Sequence, residues 1–226
     1  KLVRKKAEDL GLKIPSIVGA HYEGLSLASG DPKEAAEARE RVKRLLHAGS
    51  VLGADTALVV AGGCSSTTEN PYGQYDVVYE NSVKNVAALA QTAKDEGVRI
   101  GIEPVWSQFL LSPLELRTFI DYADSEWVGA YFDTGNVMIW GYPEQWIRIL
   151  GKRIYKCHFK DFRRSVGNFG GFVDLLAGDV DFPQVMAAFR EIGYDDFCTC
   201  EVSPYQFDAE FMAFQTAAAM DRIFKM

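Results

Sequence analysis

The 226-residue sequence has no apolar run near the ~20 residues that a membrane-spanning helix needs, and no signal-peptide pattern at its start. It also lacks an excess of positive charge. Its 24 Lys and Arg face 31 Asp and Glu, for a net charge of −7, whereas a duplex-binding surface leaves a basic footprint. Neither a membrane nor nucleic acid is therefore expected as a partner. Cysteine is scarce: the four residues, at 64, 157, 198 and 200, form no CxxC pair and no zinc-finger spacing. Cys198 and Cys200 lie two apart in a strand-like run and so share one face among apolar neighbours. They read as buried, reduced thiols in a cytoplasmic protein.

No linker, low-complexity segment or block of like charge divides the chain, so residues 1–226 are read as one domain. A hydrophobic fraction of 48% with 24% charged residues is that of an ordinary globular protein. Strand-like runs fall at 14–20, 56–62, 99–105, 128–133, 154–160 and 197–203. Helical patterns lie between them, around 33–52, 76–96, 112–124, 143–150, 181–192 and 208–225. Gly53, Gly97 and Gly193 stand where a left-handed C-terminal cap favours glycine. Asp31-Pro32 and Ser112-Pro113 pair an N-cap residue with a first-turn proline. Such alternation predicts βαβ units and a parallel sheet. Six strands are legible where a closed (β/α)8 barrel has eight. The chain also opens without methionine, in a helical stretch running from Lys1 to Leu10. The expected fold is therefore a (β/α)8 TIM barrel lacking its first two strands, an N-terminally incomplete domain; a six-stranded open α/β sheet is the alternative.

An ionisable residue in a parallel strand buried on both faces is costly unless it is paired or binds a metal. Four of the predicted strands carry one near the C-terminal end, where barrel active sites form: Glu103, Asp133, His158 and Glu201. Alternation supports a shared interior direction for all four. If they point inward, Ile100 and Ile102, Val128 and Phe132, Tyr155, Cys157 and Phe159, and Cys198 and Cys200 turn toward the helices. Three carboxylates and one imidazole make a hard, oxygen-rich set suited to one divalent ion, Mn²⁺, Mg²⁺, Co²⁺ or Zn²⁺. Singly, any of the acids can instead pair with Lys156, Lys160 or Arg99, and a lone histidine is commonly structural.

The segments GIEPVW, YFDTGN, KCHFKDFRR and CEV resemble the strand ends of xylose isomerase-like TIM barrels, in particular sugar phosphate isomerase/epimerase proteins and ketose 3-epimerases. The likeness runs from about Ile14 to the C-terminus. It implies a metal-dependent isomerase or epimerase of a ketose or ketose phosphate. Glu103, Asp133, His158 and Glu201 would be the ligands, and the two glutamates would move a proton through a metal-stabilised enediolate. The spacing His158-x-x-Asp161-x-x-Arg164 matches a post-strand motif whose arginine contacts substrate, a role open also to the adjacent Arg163. Lys160 is on the His158 face and can meet a substrate phosphate or balance Asp161; His21 follows its strand and can reach substrate or be structural. Asn136 stands where several epimerases carry a second histidine. Trp106 either stacks on a sugar or fills the barrel mouth, and Gly170-Gly171 marks a loop that is a lid or a plain connection. With only three histidines, the chain is a poor match for the multi-zinc apurinic endonucleases of the same superfamily. Aldose–ketose or hydroxypyruvate isomerase, inosose dehydratase and a catalytically degenerate sugar-binding barrel are the alternatives. A small-molecule sugar and, by resemblance, a homo-oligomeric state are the expected partners.

Overall fold

The computed structural model describes residues 2–19, 26–66 and 73–226. Helix α1 (Leu2–Asp9) leads into strand β1 (Ser16–Val18), α2 (Pro32–Leu52) and β2 (Thr56–Val59). Helices α3 (Tyr75–Ala87) and α4 (Ala90–Glu96) precede β3 (Arg99–Ile102), and α5 (Pro113–Tyr122) precedes β4 (Val128–Asp133). Helix α6 (Pro143–Leu150) then connects to β5 (Ile154–Phe159). A small hairpin follows, β6 (Asp161–Phe162) with β7 (Phe172–Val173), and then α7 (Phe182–Ile192), β8 (Cys198–Cys200) and α8 (Ala209–Ile223). The main sheet is parallel throughout, in the order β1-β2-β3-β4-β5-β8. Among the described residues its edge strands β1 and β8 are not paired with each other, so the six strands form an arc of a barrel.

Local chemistry accounts for the boundaries. Asp31 accepts a hydrogen bond from Lys33 N and Ser112 from Glu115 N, each with proline in the first turn. Gly53, Gly97 and Gly193 close α2, α4 and α7 with φ of 81°, 67° and 69°. The helix expected over 76–96 is two, broken at Ala88 and Leu89 without glycine or proline. Leu89 is fully buried there. The hairpin of β6 and β7 was not expected. Each strand has two residues, too few to show a period, and antiparallel pairing joins Asp161 with Val173 and Phe162 with Phe172.

The helix-facing side of the sheet carries the hydrophobic core. Ile100, Ile102, Phe132, Cys157 and Phe159 are each fully buried. Phe159 meets Phe182, Phe189 and Phe224 with ring centroids 5.7, 6.1 and 6.0 Å away. The concave side is polar at both ends. At its lower end Lys156 Nζ, 1% exposed, lies 2.9 Å from Asp55 Oδ1 and 2.7 Å from Asp196 Oδ2, and Arg99 reaches the same two carboxylates. Above them Tyr131 crosses the interior and its hydroxyl meets Ser16 Oγ at 3.0 Å. Gly101 leaves room for it: a Cβ there would lie 3.1 Å from Tyr131 Cβ. All four cysteines are free, and among the described residues no helix is long and apolar enough to cross a membrane.

Candidate metal centre

The four strand-end residues come together. One ligand atom each from Glu103, Asp133, His158 and Glu201 lies within 4.8 Å of the others. They sit at the C-terminal ends of β3, β4, β5 and β8, four neighbouring positions of the sheet. Strand pairing sets their height: Asp133 is opposite His158, and Glu201 N donates to Phe159 O. Glu103 N in turn donates to Val59 O.

Asp133 is held before any ligand arrives. Its Oδ1 accepts from Gly135 N and Asn136 N, both at 2.8 Å, in the turn that follows β4. Its Oδ2 is buried and accepts no hydrogen bond. Lys160 Nζ is 3.3 Å from that oxygen, within ion-pair distance but not aligned to donate. Thr134 ties the ends of β4 and β5, donating to Lys160 O at 2.7 Å and accepting from Lys160 N at 3.0 Å. A Cβ on Gly135 would meet Lys160 Cβ at 2.9 Å, so glycine lets these segments close up.

His158 Nδ1 points into the carboxylates, 3.1 Å from Glu103 Oε1, 3.1 Å from Glu201 Oε2 and 3.8 Å from Asp133 Oδ2. Tyr131 supports its ring, centroids 4.5 Å apart. Burial pushes the Glu103 carboxyl up to about 7, against the hydrogen bond from His158. Burial likewise raises Asp133, opposed by Lys160 and His158. Burial would depress His158, but hydrogen bonds to Glu103 and Glu201 carry it up to about 9. Glu201 is held down to about 2 by the His158 hydrogen bond and by Lys160. Three acids crowd one nitrogen that has a single proton to donate, and a buried carboxylate oxygen has no donor. This donor set fits one divalent cation, satisfying the orphaned oxygen and the crowded charges together.

Above the cluster lies a cavity of about 690 Å³ lined by Glu103, Trp106, Asn136, Lys160 and Glu201, with Ser107, Phe169, Phe172, Asp174 and Ser203 among its other walls. Trp106 is part of the mouth: its Nε1 donates to Asn136 O at 3.0 Å and its ring packs among Phe162, Phe169 and Phe172. Phe169 stands in the loop of Gly170-Gly171, which enters β7 through a single 3₁₀ turn. Asn136 bridges Pro104 O at 3.3 Å and Lys160 Nζ at 3.2 Å. Lys160 Nζ also lies 2.9 Å from Glu201 Oε2.

The arginines go elsewhere. Arg163 Nη2 donates to Ala177 O at 2.7 Å, and Arg164 donates to Gly141 O with its guanidinium 4.5 Å from the Tyr142 ring centroid. Neither is among the residues lining the cavity. Asp161, within the same motif, is a brace for the hairpin: Oδ1 accepts from Phe162 N and Val180 N, and Oδ2 from Gly178 N. His21 lies outside the described residues. Sequence reasoning missed Asp174, Val202 and Ser203 as lining residues; nothing in their spacing marks them, because the hairpin and the β8–α8 loop bring them in.

Residues 1–223 match the xylose isomerase-like TIM barrel family. An uncharacterised protein of Methanocaldococcus jannaschii is 26% identical over 130 residues, which is 55% of this chain and 43% of that protein. The match thus spans less than half the length of that curated relative. Among solved structures, the IolI protein with a bound zinc atom superposes with a TM-score of 0.82 at 17% identity, covering 100% of this chain and 82% of that one. A D-tagatose 3-epimerase-like protein gives 0.82 at 18% identity, covering 99% and 83%. An L-ribulose 3-epimerase gives 0.81 at 20% identity, covering 99% and 79%. At these identities the structures speak for the fold, and the match along the sequence speaks for descent: the chain belongs to the xylose isomerase-like TIM barrel family.

Proposed function

We propose that this protein is a metal-dependent epimerase or isomerase of a ketose, with inversion at C3 as the specific reaction. The observation that carries the reading is the convergence of Glu103, Asp133, His158 and Glu201 within 4.8 Å beneath an open cavity. These four would hold one divalent cation, which supplies Lewis-acid stabilisation of negative charge on a carbonyl oxygen as the neighbouring carbon loses its proton. The chain's own residues do the rest. Glu103 and Glu201 stand on β3 and β8, separated in the sheet by β4 and β5, so they approach a bound sugar from two sides. One glutamate removes the proton from the carbon beside the carbonyl, and the other returns a proton to the opposite face, inverting that centre. Asp133 and His158 act as fixed ligands: Asp133 is locked by two backbone N–H groups and His158 is backed by Tyr131. Trp106 and Phe172 form an apolar wall against which the C–H face of a sugar packs.

Turnover in D₂O tests the reading. Ketoses incubated with the Mn²⁺-supplemented protein are expected to yield a stereoisomer carrying deuterium at the inverted carbon. A new stereoisomer without solvent deuterium would replace the two-base scheme with hydride transfer or a shielded proton.

A further inference from the structure

Resting on that proposed function, we infer that the site is built for an uncharged ketose and selects against its phosphate esters. A phosphate group is held where Arg or Lys side chains, or free backbone N–H groups at a helix start, face it. Among the described residues Lys160 is the only Lys or Arg that lines the cavity, and its Nζ is already engaged by Glu201 at 2.9 Å, Asp133 at 3.3 Å and Asn136 at 3.2 Å. The two arginines nearest in sequence are turned to Ala177 O and Gly141 O. The turn after β4 also has no amides to offer, since Gly135 N and Asn136 N both bond to Asp133 Oδ1.

Charge balance points the same way. Three ionised carboxylates, a divalent cation and Lys160 sum to zero, and Asp174 on the cavity wall adds one negative charge. A phosphate dianion would enter a pocket that, among the described residues, has no unengaged cation and carries a carboxylate on its rim, and leaving such a charge unpaired costs far more than leaving a hydroxyl solvated. Trp106, Phe169 and Phe172 instead give the mouth an apolar wall, suited to the ring or chain of a neutral sugar.

The test is calorimetric titration of the Mn²⁺-loaded full chain with D-tagatose, D-psicose and L-ribulose, each set against its terminal phosphate ester. At least one free ketose is expected to bind about tenfold or more tightly than its ester. In Asp174→Lys and in Ser203→Lys, which place a cation at the wall, ester affinity is expected to rise about tenfold relative to that of the free ketose. Tighter binding of an ester by the unaltered protein overturns the inference and leaves the proposed function standing. Ester affinity unmoved in both lysine variants overturns charge as the basis of selection. Binding of neither class by metal-loaded protein removes both the inference and the function on which it rests.

Discussion

His158 Nδ1 lies 3.1 Å from Glu103 Oε1 and 3.1 Å from Glu201 Oε2, so one ring nitrogen is shared between carboxylates from the two outer strands of the site. A single N–H cannot serve both. The arrangement makes chemical sense around a cation that all three groups face.

Glu201→Gln keeps the shape of the side chain while removing its basicity. Turnover on the ketose found by screening is expected to fall by about 10²–10⁴, the contribution of a positioned acid or base. Circular dichroism and melting temperature should stay close to those of the unaltered protein, because Glu201 is half exposed. Undiminished turnover in both Glu201→Gln and Glu103→Gln would end the two-base scheme.

Lys156, Asp55, Asp196 and Arg99 make a second polar cluster on the concave side, at the end of the strands opposite the metal site. Lys156→Met leaves two carboxylates facing each other with only Arg99 between them. Breaking a buried pair costs about 3–5 kcal/mol, but exposure of Asp55 and Asp196 screens this one, and about 1–3 kcal/mol is expected in urea unfolding. Metal affinity should be unchanged, which separates this cluster from the site above it.

The same cluster sets a pH response. Burial would raise the Asp55 carboxyl, but hydrogen bonds from Thr56 and Lys156 outweigh it and leave the group below its ordinary value of 3.8. A depressed carboxylate stabilises the fold above its unfolded pKa, and that stability is lost as pH falls through the folded value. Asp55→Asn is therefore expected to lower stability at neutral pH and to flatten the acid limb of the stability profile below about pH 4. An acid limb identical in slope to that of the unaltered protein would contradict this.

Asp161 holds three backbone N–H groups and through them the hairpin that carries Phe172. Asp161→Ala orphans those donors, for a loss of about 1–3 kcal/mol. Looser packing of Trp106 against Phe162 and Phe172 should appear as a change in tryptophan emission. Unaltered stability and emission would show that the hairpin does not depend on this brace.

The upper rim of the concave face was legible because alternation has a period of two and a buried charge is costly. Glu103, Asp133, His158 and Glu201 were each conspicuous among apolar neighbours, and parity put Ile102, Phe132 and Cys157 on the other side, where they are found. The helix ends at Gly53, Gly97 and Gly193 were equally plain, since a left-handed cap leaves a single-residue mark. What stayed hidden depended on contacts distant in sequence. The break at Ala88–Leu89 carries no breaker residue, and β6 and β7 are too short to show a pattern. Asp55 and Asp196 precede their strands and reveal themselves only when Lys156 is placed between them. Arg163 and Arg164 followed a motif in the sequence, but the hairpin turns that segment so that both guanidinium groups meet backbone carbonyls.

Metal binding is the claim on which the functional reading depends. Chelator-treated protein titrated with Mn²⁺ is expected to take up one ion per chain. His158→Asn should weaken that binding by at least the 10–100-fold known for outer-shell losses, and Asp133→Asn combined with Glu103→Gln should abolish it. Absence of saturable binding, or stoichiometric binding that survives the double substitution, would show that these four residues do not form the metal site.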